Sequence, residues 1–474
     1  MPSQSRSQSR AVVASARRWM LALSVVLPVA AMAQTSPAVS TLAAFSGSQT
    51  SSGPVRGPDG ALYGTTSTVN FITGGLIYRL EADGSGIRTL YQFKLTDGYS
   101  PFGGLLLGSD GRFYGTTSIG AVSEANSGGT IFRVDADGNE FRVLHRFESY
   151  AATNSLGGAI NGDGASPESE LIEGNDGFLY GVTRAGGPGG TGAVFKVSRD
   201  GTAFAVLHTF GAVTSDAGVT PAINADGINP AGPLVAGADN FFYGTASAGG
   251  TNGFGTIFRV GFDGSGFEVL RSFPALVPST TTGPTNADGA VPLAGLTDGK
   301  DGRLYGVASQ GGSAGSGTLF ALDPLSRVFT VLHDFDGGKG AAATGELLLA
   351  QDGRLYGTTA SGGSNTAGEP TLFGTIFSIA RDGTGFTSLH SFKGTDGSSP
   401  SGKLLQLNAS TFAGATLSGG NCSQGTVFQL SLTGATTKGV TNCGRRNNDG
   451  GGGVAPALLL LLALAAAARK AAAR

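Results

Sequence analysis

Four histidines, His145, His208, His333 and His390, are the chain's only imidazoles, and such a quartet is what a metal site or a general acid–base centre would use. Each stands in the same local phrase, VLHRF, VLHTF, VLHDF or SLHSF. Copies of one position on successive repeats point in different directions and cannot meet at one atom unless they line a common axis. The same position is Tyr91, Arg271 and Ala43 elsewhere in the chain. These residues are therefore expected to pack an outer strand. Five aspartates form a second set: Asp97, Asp163, Asp226, Asp288 and Asp396 each precede a Gly and, at a fixed distance, a Pro. Asp and Pro are turn formers, so rigid connections between repeats are expected. The rival chemistry is that Asp163, Asp226 and Asp288 gather at one mouth, where paired carboxylates would suit glycoside hydrolysis.

Other catalytic signatures do not develop. Asp135-Ala136-Asp137-Gly138 begins like a calcium loop, but the further acids and the closing Glu do not follow. No Ser-His-Asp order, HExxH or phosphate-cradling loop is present. No cofactor and no metal is expected. Tyr99 and Tyr150 are the only tyrosines outside repeated strand positions, and the single tryptophan, Trp19, precedes residue 34.

The elements that must carry these residues are short and regularly repeated. An apolar run such as Gly104-Leu105-Leu106-Leu107, Glu170-Leu171-Ile172, Pro233-Leu234-Val235, Glu346-Leu347-Leu348-Leu349 or Lys403-Leu404-Leu405 is followed by a turn. An LYGTT-like segment comes next, centred on Tyr63, Tyr114, Tyr180, Tyr243, Tyr305, Tyr356 and, degenerate, Phe412. A GTIF segment and a VLHxF segment complete the unit. Each is four to eight residues, apolar or alternating, and bounded by Gly, Asp or Asn, as strands are. Centres spaced 51, 66, 63, 62, 51 and 56 residues apart, with four strands per unit, predict a seven-bladed β-propeller of antiparallel sheets. There are seven GTIF segments but only six following VLHxF segments. The missing copy is at the front, where Val39-Ser40-Thr41-Leu42-Ala43-Ala44-Phe45 matches Phe386-Thr387-Ser388-Leu389-His390-Ser391-Phe392. The N-terminal strand is thus expected to complete the last blade and close the ring.

The LYGTT, GTIFRV and VLHxF segments, recurring in that order from about residue 39 to 432, resemble the GloVer tandem repeats of bacterial choice-of-anchor proteins. The resemblance implies export and surface attachment and brings no catalytic residues with it.

Three successive connections between repeats are lengthened, at residues 148–162, 211–225 and 274–287. Insertions clustered on one face often mark a binding surface. Tyr99, Tyr150, Asp163, Asp226 and Asp288 all lie in connections of this class. They are the expected binding residues.

The ends carry addresses. Basic residues, an apolar run from Trp19 and a small-residue site closing on Ala33 before Gln34 have the plan of a secretory signal peptide over residues 1–33. Residues 34–432 form the expected propeller and 433–453 a Gly-rich linker. Gly450, Gly451, Gly452 and Gly453 precede a Leu/Ala run and a basic end over 454–474, expected to be a short hydrophobic helix. The run 454–468 would span only about 22 Å at roughly 1.5 Å per residue, against a hydrocarbon core of about 30 Å. This tail resembles the GlyGly-CTERM sorting signals, which implies a rhomboid-type sorting protease as partner besides the export machinery. Alternatively it is a plain membrane tail. Cys422 and Cys443, the only cysteines, read as a disulfide in an oxidising compartment.

Composition agrees with an exported protein. The chain has 81 Gly among 474 residues, 40% hydrophobic residues and only 14% charged ones. Four of its 31 bases lie before residue 34 and three at the C-terminus, leaving 24 bases against 33 acids in the body, a net charge of −9. Such a body repels a phosphate backbone, so nucleic-acid binding is not expected. The expectation is an exported, monomeric, non-catalytic binding or scaffold propeller for a protein or glycan. The alternatives are an extracellular enzyme acting on a polysaccharide or polyester and a purely structural envelope component.

Overall fold

The computed structural model describes residues 36–68, 74–94, 96–120, 127–150, 152–214, 221–280, 282–364, 372–437 and 440–441. The signal segment with Ala33 and Gln34, Cys443, Gly450 to Gly453 and the expected C-terminal helix lie outside the described residues. Among the described residues every regular element is a strand, and none is a helix long and apolar enough to cross a membrane.

Among the described residues seven blade sheets follow one another, six of them in sequence order from an inner to an outer strand. Blade 3 is representative: Ile172–Glu173, Phe178–Thr183, Ala193–Ser198 and Phe204–Thr209 pair in that order. Blade 7 differs as expected. Its first three strands, Ser398–Asn408, Thr411–Ser418 and Thr426–Ser431, receive Ala38–Ala44 from the N-terminus as their fourth, with Thr41 opposite Phe428. A short fifth strand, Val440–Thr441, then runs parallel to Ala38–Ala44.

The cores show that the ring is closed. Among the described residues there are seven hydrophobic clusters, and each draws on two consecutive blades. The one joining last to first holds Leu42, Phe45, Ala413 and Val427 from blade 7 with Leu62, Tyr78 and Leu80 from blade 1. No blade has a private core, so its two faces are stabilised only by its neighbours.

The repeated phrases follow from this packing. The Gly of LYG sits against the ring of the third strand: a Cβ on Gly306 would lie 2.6 Å from the Phe320 ring, and one on Gly115 2.6 Å from Phe132. Only a residue without a side chain lets that ring reach the core. The Tyr of LYG enters the core between blades, as where Tyr63 packs on Phe113 with ring centroids 4.4 Å apart. Its hydroxyl donates to the turn aspartate four residues earlier in six blades, from Tyr63 to Asp59 at 3.0 Å through Tyr356 to Asp352 at 2.8 Å. A buried phenol is thereby satisfied.

Candidate functional site

Every outer strand carries a bulge at its central Leu, between Val143 and His145 in blade 2 and between Val206 and His208 in blade 3. A bulge re-aims the residue that follows it. The ring of His145 stacks on Phe204 of the next blade at 3.6 Å, His208 on Phe267 at 3.6 Å and His333 on Phe386 at 3.7 Å. Tyr91 stacks likewise on Phe141, and Arg271 lies over Phe329.

The polar edge of the same side chain meets the aspartate of the connection. His145 Nε2 is 2.9 Å from Asp163, His208 Nε2 is 3.3 Å from Asp226 and His390 Nε2 is 2.9 Å from Asp396. Tyr91 donates to Asp97 at 2.7 Å, and Arg271 pairs with Asp288. Four of the five aspartates also accept a backbone N–H at the head of the connection, Asp97 from Lys94, Asp163 from Glu148, Asp226 from Gly211 and Asp396 from Lys393, whereas the connection of Asp288 opens on Pro274, which has no N–H to give. Burial would raise the Asp396 carboxyl, but hydrogen bonds from His390 and the Lys393 N–H hold it below the ordinary range. The aspartates are thus distributed one to an interface, each held by its own outer strand, and Asp163, Asp226 and Asp288 do not gather at one mouth. Among the described residues no group of three or more His, Cys, Asp or Glu could hold a metal ion.

The connections share a face with the loops between second and third strands. Backbone bridges tie them at Tyr99–Ile119, Ala165–Ala185, Ala290–Gln310 and Ala341–Ser361. The three insertions rise from this face, and an asparagine closes the base of each. Asn161 donates to the Glu148 and Gly164 carbonyls and accepts from the Gly164 and Gly187 N–H groups. Asn224 and Asn286 repeat the pattern at Gly211 and Pro274. Among the connections between blades, the phrase Asn-x-Asp-Gly stands in the three lengthened ones, and it is the sequence signal of this closure.

Above that base, the first insertion forms a hairpin of Ala152–Thr153 with Ala159–Ile160. Its turn exposes Leu156, and the third insertion exposes Val277. The structure does bring Tyr99 and Tyr150 together. Both are half-buried, and burial, with the nearby Tyr150 phenol, raises the Tyr99 hydroxyl above its ordinary value. Phe102, three residues on from Tyr99, is exposed.

A third group was missed altogether. Glu170, Glu346 and Lys403 each open an inner apolar run and were read only for the residues that follow. Lys403 Nζ pairs with Glu346. Glu170, three blades from Glu346, interacts electrostatically with both. Only the axis of the ring lets these three blades meet, so the trio lies in the central bore.

A family model for the Gloeobacter/Verrucomicrobia repeat matches the chain over residues 29–225, 154–286 and 221–373. The chain belongs to the Gloeobacter/Verrucomicrobia repeat family. The matched stretch carries the LYG, GTIF and VLHxF units, whose Gly is accounted for above by the third-strand ring of the same blade and whose Tyr and His by packing between blades. No curated protein matches. Among solved structures, the GH74 enzyme of Niastella koreensis is similar at 15% identity and a TM-score of 0.51, over 82% of this chain and 53% of that one. The chain spans about half the length of that enzyme. An oligogalacturonate lyase from Vibrio parahaemolyticus is similar at 12% identity and a TM-score of 0.48, over 83% and 93% of the two chains. At such identities the likeness is one of fold, so the family assignment rests on the repeat.

Proposed function

We propose that this Gloeobacter/Verrucomicrobia repeat protein is an exported, non-catalytic binding propeller that presents its lengthened connections to a protein or glycan ligand. The observation that carries the reading is the division of labour on the connector face. Three of the four histidines and all five aspartates whose chemistry looked catalytic are consumed in recurring interblade clamps, whereas what differs between blades stands above them: the insertions with Leu156 and Val277, and the Tyr99 and Tyr150 pair. Asparagine closure at each base isolates an insertion from the frame, so its tip can vary at little cost to the ring. The same dispersal of carboxylates weighs against the hydrolase alternative.

Around this body we place a signal peptide cleaved after Ala33, a linker at 433–453 and a sorting or anchoring tail at 454–474. A Cys422–Cys443 disulfide would fasten the tail to blade 7. Intact mass of the mature protein tests both ends, because retention of 454–474 contradicts sorting-type cleavage. The binding reading is tested by presenting the mature protein to glycan and protein arrays, beside a variant in which 152–160 is replaced by Gly-Ser. A ligand lost with the hairpin supports it. Absence of any ligand favours a structural envelope component.

A further inference from the structure

The inner strands of the ring are interrupted at one common level. In blade 7 the register breaks between Ser401 and Leu405, in blade 1 pairing lapses between Thr50 and Val55, and in blade 4 between Pro230 and Val235. The position before each apolar run is, in ring order, Gly53, Gly104, Glu170, Pro233, Gly295, Glu346 and Lys403. Backbones of neighbouring blades touch here. A Cβ on Gly53 would lie 2.1 Å from the Lys403 carbonyl oxygen, one on Gly295 2.6 Å from that of Pro233 and one on Gly345 2.7 Å from that of Gly402. Main chain and small residues therefore line the bore at this level, and only three of the seven positions send a long side chain into it.

Those three do not balance. Glu346 and Lys403, on adjacent blades, form an ion pair with side chains 12% and 41% exposed, so solvent reaches them through the bore. Glu170 is half-buried, and its Oε2 is 2.8 Å from where a Cβ on Gly104 would stand. Among the described residues it makes no hydrogen bond. The only charged groups acting on it are Glu346, which disfavours its ionisation, and Lys403, which favours it. Fully ionised, the trio carries one net negative charge in a place where charge is costly.

We propose that the bore is a binding site for one small organic cation, a primary ammonium or a guanidinium group, seated between Glu170 and Glu346 beside Lys403. Either group brings a single positive charge and several N–H donors to carboxyl oxygens that have room to accept them. An anion would add to the charge imbalance. A divalent metal would find two carboxylates where a hard cation takes six or more oxygens. An amino sugar and a lysine or arginine side chain from an inserted partner loop share this chemistry. When no cation is bound, a proton takes its place: burial, and then the Glu346 charge, push the Glu170 carboxyl up to about 8. Cation binding near neutral pH should therefore release a proton and tighten as the pH rises towards that value.

The site is independent of the insertions, so removal of 152–160 should leave it unchanged. Ethylammonium and methylguanidinium probe the group, glucosamine and a capped Gly-Lys-Gly peptide probe its sources, and sodium and N-acetylglucosamine are controls. Calorimetry of the purified protein in two buffers of different ionisation heat should show saturable binding with proton release. Glu170→Gln should weaken it at least about tenfold, or 1.4 kcal/mol, and abolish the release. Lys403→Ala, which removes the built-in cation, should bind ethylammonium more tightly than the parent and regain thermal stability as it is added. It serves as the deciding variant if Glu170→Gln does not fold. Saturable binding unchanged by Glu170→Gln, equal competition by sodium, or no response of either the parent or Lys403→Ala overturns the proposal.

Discussion

His333 and Lys339 occupy the two positions that hold a hydrogen-bonded pair in the other histidine-bearing interfaces. The Lys339 carbonyl accepts from Thr375 at 3.3 Å as the Asp396 carbonyl accepts from Thr426 at 3.2 Å, and Gly340 takes the φ of 131° that matches Gly397 at 134°. The lysine side chain cannot accept, and His333 Nε2 is left buried without a partner. Burial lowers the His333 pKa, Lys339 adds to that, and Asp336 and Asp334 oppose it.

Lys339→Asp should therefore complete the fifth histidine- or arginine-to-aspartate pair and raise stability by about 1 to 2 kcal/mol. The pH dependence should reverse. With its folded pKa below the unfolded value, His333 now makes the protein lose stability as pH falls through about 6.5. With a raised pKa in the variant, it should contribute stability below about 6.5 that is lost as pH rises through the new value. Urea midpoints from pH 5 to 8 and NMR titration of His333 measure both effects, and an unchanged His333 titration would contradict the pairing.

Tyr78 stands in blade 1 where the other six blades have Phe, and its hydroxyl is fully buried with no hydrogen-bond partner. Tyr78→Phe removes an unsatisfied donor and should be stabilising by up to about 1 to 3 kcal/mol. Gly306→Ala does the reverse, driving a Cβ into the Phe320 ring, and should cost about 1 to 3 kcal/mol. Denaturant midpoints of the two variants should move in opposite directions.

The frame was legible because its determinants are local and repeated: Gly115 beside Tyr114, the Phe132 that needs that Gly, and the N-terminal strand missing from the last unit's end. The site was less legible. The separation of Asp163 from Asp226 follows from His145 and His208 each claiming one, a pairing across 18 residues that no single phrase announces. The axial trio was harder still. Glu170 and Glu346 look like ordinary strand-edge acids, and only closure of the ring brings residues 176 positions apart into one bore.

Val291 has a φ of 58°, as do its counterparts Ser100, Ser166, Asn229, Ala342 and Ser399 within a few degrees. Its N–H donates to the Phe254 carbonyl of the preceding blade and its carbonyl accepts from Ser309, so the conformation clips blade to blade. A β-branched residue is strained there. Val291→Asn, copying Asn229, should keep both bonds and raise stability by about 1 kcal/mol. Thermal unfolding should show a higher midpoint with unchanged cooperativity.

Glu170 gives the ring a pH response of its own. Its folded pKa, about 8, lies above the usual carboxyl value near 4.3 in an unfolded chain. The folded state thus binds the extra proton between the two. Its contribution to stability is fully present below about 4.3 and is lost as pH rises through 8. Glu170→Gln should flatten this part of the profile and be the more stable protein above pH 8. Parallel unfolding curves at pH 6 and pH 9 check the crossing.

Closure of the ring places the greatest demand on one strand. Ala38–Ala44 is hydrogen-bonded to Thr426–Ser431 on one side and to Val440–Thr441 on the other, and Ser40 meets Thr437 at 3.0 Å. Leu42 is wholly buried in the cluster that joins blade 7 to blade 1. Removing residues 38–45 from the mature protein should expose the edge of Thr426–Ser431 and empty that interface. Each blade is stabilised by both neighbours, so the loss should spread round the ring and remove stability on the order of the whole domain's 5–15 kcal/mol. Leu42→Ala, a milder test of the same contact, should cost about 2 to 5 kcal/mol. Because the strand is supplied in one piece, a peptide copying residues 36–46 should restore cooperative unfolding to the truncated protein. Truncation without effect on the melting midpoint, or loss that the peptide cannot reverse, would show that closure resides elsewhere.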